Sequence, residues 1–248
     1  MPPTPFDPAP SAPAWPLPIE WLPAAGRAEQ LIVLLHGWAQ EPSVFLPLAQ
    51  ALRLQFPQAA VLAPQAPDPA DAGRSGHQWY SIEGLEDVAA WRARVMGCVA
   101  SLARWLRAQQ QRLGVSPAAT ALGGFSQGGV IALHAVAQHD GLAGRVLAFG
   151  ARMVDLPRQA PQLSTLHLFH GSRDRIFDVA QARALLQQLG ALQGDATLDI
   201  AEGIGHELHP AMIDCALHRL THHIPQRTWR EALGAAPAAA RTPGDAED

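Results

Sequence analysis

The chain has 248 residues, 48% of them hydrophobic and 16% charged, with a formal net charge of −4. That length and apolar content suffice for one large core, and the weakly acidic balance excludes the clustered cations that nucleic acid or an anionic membrane would require. Two cysteines, Cys98 and Cys215, are too few for a disulfide framework, and no apolar run nears the ~18 residues needed to cross a bilayer.

Residues 2–18 (PPTPFDPAPSAPAWPLP) contain eight prolines and are expected as an extended arm. With neither a basic n-region nor an apolar h-region at the N-terminus, a cytoplasmic protein is expected. Residues 19–232 then form the expected folded domain, and 233–248, small, polar and acidic, an expected disordered tail. Within the domain, strands are expected at 31–35, 59–63, 120–125, 145–150, 165–171 and 197–202. Several of these are apolar throughout, as strands covered on both faces are. Helical spacing marks 43–54, 84–112, 128–138, 178–190 and 210–223. In the longest, Val88, Trp91, Val95, Val99, Leu102 and Leu106 form an apolar stripe. Glu83, Glu86 and Asp87 lie at its start and Arg104, Arg107 and Arg112 toward its end, which suits the helix dipole. Alternation of this kind predicts an α/β domain: a mostly parallel sheet with helices on both faces.

The stretch TALGGFSQGGVIALH (120–134) places Ser126 between pairs of glycines where a strand gives way to a helix. Gly124-Phe125-Ser126-Gln127-Gly128 fits a nucleophile elbow, in which a strained serine points away from the sheet and glycine removes crowding on either side. A serine needs a base and a group to orient that base. In chain order the candidates are Asp174, past the strand TLHLFHG, and His206, in the loop Gly203-Ile204-Gly205-His206. Asp178 competes with Asp174 but is placed to cap the next helix, and His209 sits beside Pro210 at the start of the last one. The backbone N–H groups of Gln127 and Trp38, the latter after the strand LIVLL, are the candidate oxyanion donors. Cys215, His218 and His222 share one helix face, opposite an expected core stripe of Ile213, Leu217, Leu220 and Ile224. That trio is read as solvated, and no metal or cofactor is expected.

LLHGWAQEPSVF, Gln78-Trp79-Tyr80, GGFSQGGVIAL, HGSRD and GIGHEL, in this order, resemble the phospholipase/carboxylesterase family of α/β hydrolases, which includes acyl-protein thioesterases. The resemblance runs over about residues 28–232. It implies an α/β-hydrolase fold without a large cap domain, and a catalytic triad of Ser126, Asp174 and His206. It also implies oxyanion donors at Trp38 and Gln127, and a substrate pocket flanked by Trp38 and Trp79. An ester or thioester of a small molecule is the implied substrate, with homo-oligomers possible. One departure stands out: the family's His-Gly-x-Gly-Asp ends here in Ala39-Gln40, which bears on the conformation of that loop.

Overall fold

A computed structural model describes residues 15–24 and 26–232. In chain order the elements are β1 (Ile19–Trp21), β2 (Gln30–Leu35), α1 (Leu46–Gln55), β3 (Ala59–Ala63), β4 (Asp68–Pro69), β5 (His77–Gln78), α2 (Val88–Leu113) and β6 (Thr120–Phe125). They continue with α3 (Gln127–Gln138), β7 (Arg145–Phe149), β8 (Thr165–Gly171), α4 (Val179–Ala191), β9 (Ala196–Ala201), α5 (Pro210–His222) and α6 (Gln226–Ala232). Seven strands make one sheet in the order β1-β3-β2-β6-β7-β8-β9, with β4 and β5 as a separate ribbon. Only β1 runs antiparallel in the large sheet, against β3.

The sheet is covered on both faces, so its inner strands carry apolar side chains at consecutive positions. Leu31, Val33 and Leu35 of β2 join the core packed under α2, α3 and α4, whereas Ile32 and Leu34 join the core under α1 and α5. Helices fill the crossovers β2–β3, β3–β6, β6–β7 and β8–β9, but the β7–β8 crossover, residues 150–164, contains neither helix nor strand. No helix among the described residues is long and apolar enough to cross a membrane.

The expected strands and helices are all present, with ends shifted by a few residues. The largest shift is at α2, which begins at Val88 rather than residue 84. Gly84 has φ +67°, outside the helical region, and the Asp87 carboxylate caps the N–H groups of Ala89 and Ala90. Val88, expected on the buried stripe, is therefore a first-turn residue and 46% exposed, while Trp91, Val95, Val99, Leu102 and Leu106 are buried. Ile224 is likewise not in the core: α5 ends at His222, and Met212, Ile213 and Ala216 are what it buries. Four elements were not expected: the edge strand β1, the two short strands β4 and β5 of the ribbon, and the helix α6. The folded part also starts before residue 19. Trp15 packs on the core, its ring 5.1 Å from Trp105 and 5.0 Å from Trp79. The rest of the expected arm and the expected tail, residues 1–14 and 233–248, lie outside the described residues.

Candidate active site

Three parallel strands deliver the candidate residues at their C-terminal ends: Ser126 after β6, Asp174 after β8 and His206 after β9. Ser126 has φ +51° and ψ −117°, the strained conformation an elbow demands of a non-glycine residue. The glycines on either side answer to backbone rather than to each other's side chains. A Cβ on Gly128 would stand 2.0 Å from the Leu35 carbonyl oxygen, and one on Gly124 would stand 2.4 Å from the Gly128 carbonyl carbon. Helix α3 can thus start flush against the sheet only because both positions lack a side chain.

The three side chains meet. His206 Nε2 lies 2.8 Å from Ser126 Oγ, and His206 Nδ1 lies 2.7 Å from Asp174 Oδ2. The other carboxylate oxygen of Asp174 accepts the N–H groups of Ile176 (2.8 Å) and Phe177 (2.9 Å). Burial alone would raise this carboxyl's pKa, but the hydrogen bonds from His206, Phe177 and Ile176 outweigh it and hold it below the ordinary carboxylate value. Asp174 is therefore a carboxylate at neutral pH, and the proton on His206 Nδ1 points at it. The loop carrying His206 is tied to the end of β8 by Ser172 N–H to Ala201 O (3.0 Å) and Arg173 N–H to Ile204 O (2.8 Å). The imidazole is walled by Phe125, at 4.9 Å between ring centroids, and by Phe177, edge-on at 5.7 Å.

Asp178 caps α4 through Ala180 N–H at 2.8 Å, and His209 is the N-cap of α5. Neither competitor reaches the serine's hydrogen-bonded line. His218 and His222 are exposed and stack at 4.3 Å. Among the described residues, no three His, Cys, Asp or Glu side chains are grouped to hold a metal.

Gln127 occupies the first position of α3, so its backbone N–H precedes the helix's own hydrogen-bond ladder and is left for another acceptor. Across from it runs the loop His36-Gly37-Trp38-Ala39-Gln40. His36 is fully buried: Nδ1–H donates to Gly37 O (2.8 Å) and Nε2 accepts from Ala66 N–H (3.0 Å). Burial lowers its pKa, so the ring is a neutral strut with a fixed tautomer. Ala39 adopts φ +56°, a left-handed conformation that favours glycine but is held here by an alanine. Gln40 Oε1 accepts the Gly37 N–H at 2.9 Å and closes the turn.

The two tryptophans part company. Trp38 stays partly exposed, with its Nε1–H on Gln78 Oε1 at 3.0 Å. Trp79, expected beside the acyl group, is only 3% exposed, and its Nε1–H donates to His36 O at 2.8 Å. It therefore braces the loop 36–40 from behind, with Trp15 packed against it. Sequence reasoning missed the side chain of Gln127. Its Oε1 accepts the Trp79 N–H (2.8 Å) and its Nε2 donates to Tyr80 O (2.7 Å), stapling the Trp79 segment to the elbow. The only sequence signal was a long polar residue at a position the helix must bury.

Comparison with known proteins agrees with this architecture. Residues 22–224 match the Phospholipase/Carboxylesterase family. Esterase YpfH of Escherichia coli (strain K12) is 35% identical over 206 residues, covering 83% of this chain and 88% of that protein. Among solved structures, esterase PE8 superposes with a TM-score of 0.75 at 27% identity, covering 84% of this chain and 99% of its own. The Bacillus cereus carboxylesterase shares the fold with a TM-score of 0.68 at 16% identity, covering 81% of this chain and 91% of its own. The chain belongs to the phospholipase/carboxylesterase family of α/β hydrolases.

Proposed function

We propose that the protein is a serine hydrolase of carboxylic esters with short acyl chains, working through an acyl-enzyme on Ser126. The observation that carries this reading is the hydrogen-bonded line from Ser126 Oγ through His206 to Asp174. As Oγ attacks the ester carbonyl carbon, His206 Nε2 takes its proton and the C=O electron pair moves onto oxygen. That oxyanion lies against the backbone N–H groups of Trp38 and Gln127; losing one such donor costs about 2.7–4 kcal/mol in the barrier. The imidazolium passes its proton to the departing alcohol oxygen as the C–O bond breaks, leaving the acyl group on Ser126. Water, deprotonated by His206, then attacks the acyl-enzyme, and release of the carboxylic acid returns the proton to Oγ. Asp174 stays ionised throughout, fixing the tautomer that turns Nε2 toward the serine. None of these steps calls for a metal or a cofactor.

The name of the Escherichia coli relative supports esters as the substrate class. A preference for short acyl chains is supported by the polar surroundings of Trp38, which is held by Gln78, itself tied to Asp71 (2.6 Å), within a connection rich in Pro, Ala and Asp. A long chain yields about 0.8 kcal/mol per buried CH₂ only where apolar walls receive it. Thioesters of the same acyl groups fit this mechanism equally, since the site addresses the acyl part. The cytoplasm is the proposed compartment, in keeping with two unbridged thiols.

The test is fluorophosphonate labelling and hydrolysis of p-nitrophenyl esters from acetate to palmitate. Ser126→Ala is expected to abolish labelling and reduce turnover by on the order of 10³-fold or more. Wild-type labelling of that variant would move the nucleophile elsewhere, and an unlabelled, inactive wild type would favour a non-catalytic binding protein. A steady rise in kcat/KM toward palmitate would replace the short-chain reading with a lipid esterase or thioesterase.

A further inference from the structure

We infer that Arg152 recognises a negatively charged group on the substrate, so that the protein favours esters bearing a carboxylate near the scissile bond. This rests on the esterase reading of Ser126. Arg152 leaves the sheet in the irregular β7–β8 crossover, two residues after Gly150, where an added Cβ would lie 3.3 Å from His206 Nδ1. Its guanidinium carbon lies 4.5 Å from the centroid of Trp91 and 5.5 Å from that of Phe177, the ring that meets His206 edge-on. Tyr80 and Asp155 are within electrostatic reach. Tyr80 belongs to the segment whose backbone is stapled to Gln127. The cation therefore sits among rings that lead on one side to the base and on the other to the elbow.

What singles Arg152 out is that its guanidinium lacks an acceptor while half-buried. Other arginines are engaged or exposed: Arg92 pairs with Asp155, Arg112 with Glu20, Arg219 with Asp199 and Arg145 with the His223 carbonyl, and Arg53, Arg107 and Arg183 are exposed. Asp155, the nearest acid in sequence, is thus already paired. Arg152 Nε is sealed from solvent without a partner, and among the described residues no carbonyl, carboxylate or hydroxyl accepts from its guanidinium. Ring faces attract a cation but satisfy none of its N–H donors. A half-buried guanidinium with its donors unmet is costly to a fold unless an anion completes it, and the planar fork is matched to a carboxylate. The end-on pair of nitrogens, rather than the sealed Nε, is the edge available to that group.

The anion could sit on the acyl chain or on the alcohol, and two substrate pairs separate these. Mono-p-nitrophenyl glutarate is compared with p-nitrophenyl butyrate, and 4-acetoxybenzoate with phenyl acetate, for wild type, Arg152→Lys and Arg152→Met. Methionine keeps an apolar stem between Trp91 and Phe177. The charged-to-neutral ratio of kcat/KM is expected to fall about 10- to 100-fold in Arg152→Met for at least one pair. It should be partly kept in Arg152→Lys. A fall in the first pair alone puts the anion on the acyl side, and in the second on the alcohol side. Unchanged ratios in both pairs, even with lower overall activity, would overturn the inference and leave Arg152 as part of the wall. Should wild type cleave none of the four esters, the esterase reading fails first. Glutarate titrated into Ser126→Ala protein, with and without Arg152→Met, then decides: weaker binding without the arginine upholds the anion site, and equal binding refutes it.

Discussion

Replacing Gln127 by methionine tests how the elbow is coupled to the loop opposite. The residue is 3% exposed, and both ends of its amide are spent on backbone, Oε1 on Trp79 N–H at 2.8 Å and Nε2 on Tyr80 O at 2.7 Å. Methionine fills a similar volume but leaves one buried donor and one buried acceptor unmet, each costing about 1–3 kcal/mol. A loss of about 2–6 kcal/mol is expected, a large share of the roughly 5–15 kcal/mol that stabilises a typical domain. The damage should also reach catalysis. Trp79 holds the His36 carbonyl, and His36 opens the turn that presents the Trp38 N–H. A looser turn weakens transition-state binding more than substrate binding, so kcat should fall while KM changes little. Urea unfolding followed by tryptophan fluorescence gives the stability, and steady-state hydrolysis of p-nitrophenyl acetate gives the split. A loss below about 1 kcal/mol with unchanged kcat would refute the staple.

Asp174→Asn is expected to lower kcat on the order of 10³–10⁴-fold by favouring the wrong imidazole tautomer, whereas Asp178→Asn keeps the cap on Ala180 and should be mild; the reverse ranking would reassign the acid. With Asp174 held ionised, ester hydrolysis should rise with pH through a single ionisation that is not the acid's, and a second ionisation on that limb would contradict the assignment. His167, fully buried, has its pKa pushed down to about 3, chiefly by burial, so it is neutral when folded and takes up a proton on unfolding below its ordinary value of 6.5. Its contribution to stability is complete above that value and shrinks as pH falls, by about 2 kcal/mol between pH 7.5 and pH 5. Urea unfolding of His167→Leu at both pH values should show that much less acid sensitivity, and equal sensitivity would refute it. Trp15→Ala removes contacts with Trp79 and Trp105 and should cost about 1–3 kcal/mol in the same assay; no loss would mean the segment before β1 does not brace the domain.

The parallel sheet was legible because several of its strands are short and apolar on both faces, and the candidates Ser126, Asp174 and His206 because each follows a strand in a fixed order. Illegible features were of two kinds. Short edge elements such as Ile19–Trp21 hold too few residues to display a period, and this one owes its strand to pairing with Ala63, Leu62 and Val61. The other kind is side-chain direction. Nothing in Gln78-Trp79-Tyr80 says whether the indole faces a ligand or the back of a loop. That is decided by the His36 carbonyl on one side and Trp15 on the other, residues 43 and 64 positions away in sequence.

The departure at Ala39-Gln40 follows the same logic of compensation. An L-residue at φ +56° costs about 1–2 kcal/mol against glycine, but alanine returns about 0.4–1 kcal/mol by narrowing the unfolded ensemble. The net strain is small enough for one hydrogen bond to offset, and Gln40 supplies it by reaching back to the Gly37 N–H. Space for the strained residue comes from β5's side. A Cβ at Gly76 would lie 2.6 Å from the Ala39 carbonyl carbon, so the neighbouring chain yields where the loop does not. Gln40 O then accepts the His77 N–H at 3.0 Å, locking the loop to the ribbon in that position. What must be preserved across such changes is the direction of the Trp38 N–H, a backbone property that Ala-Gln can hold as well as Gly-Asp.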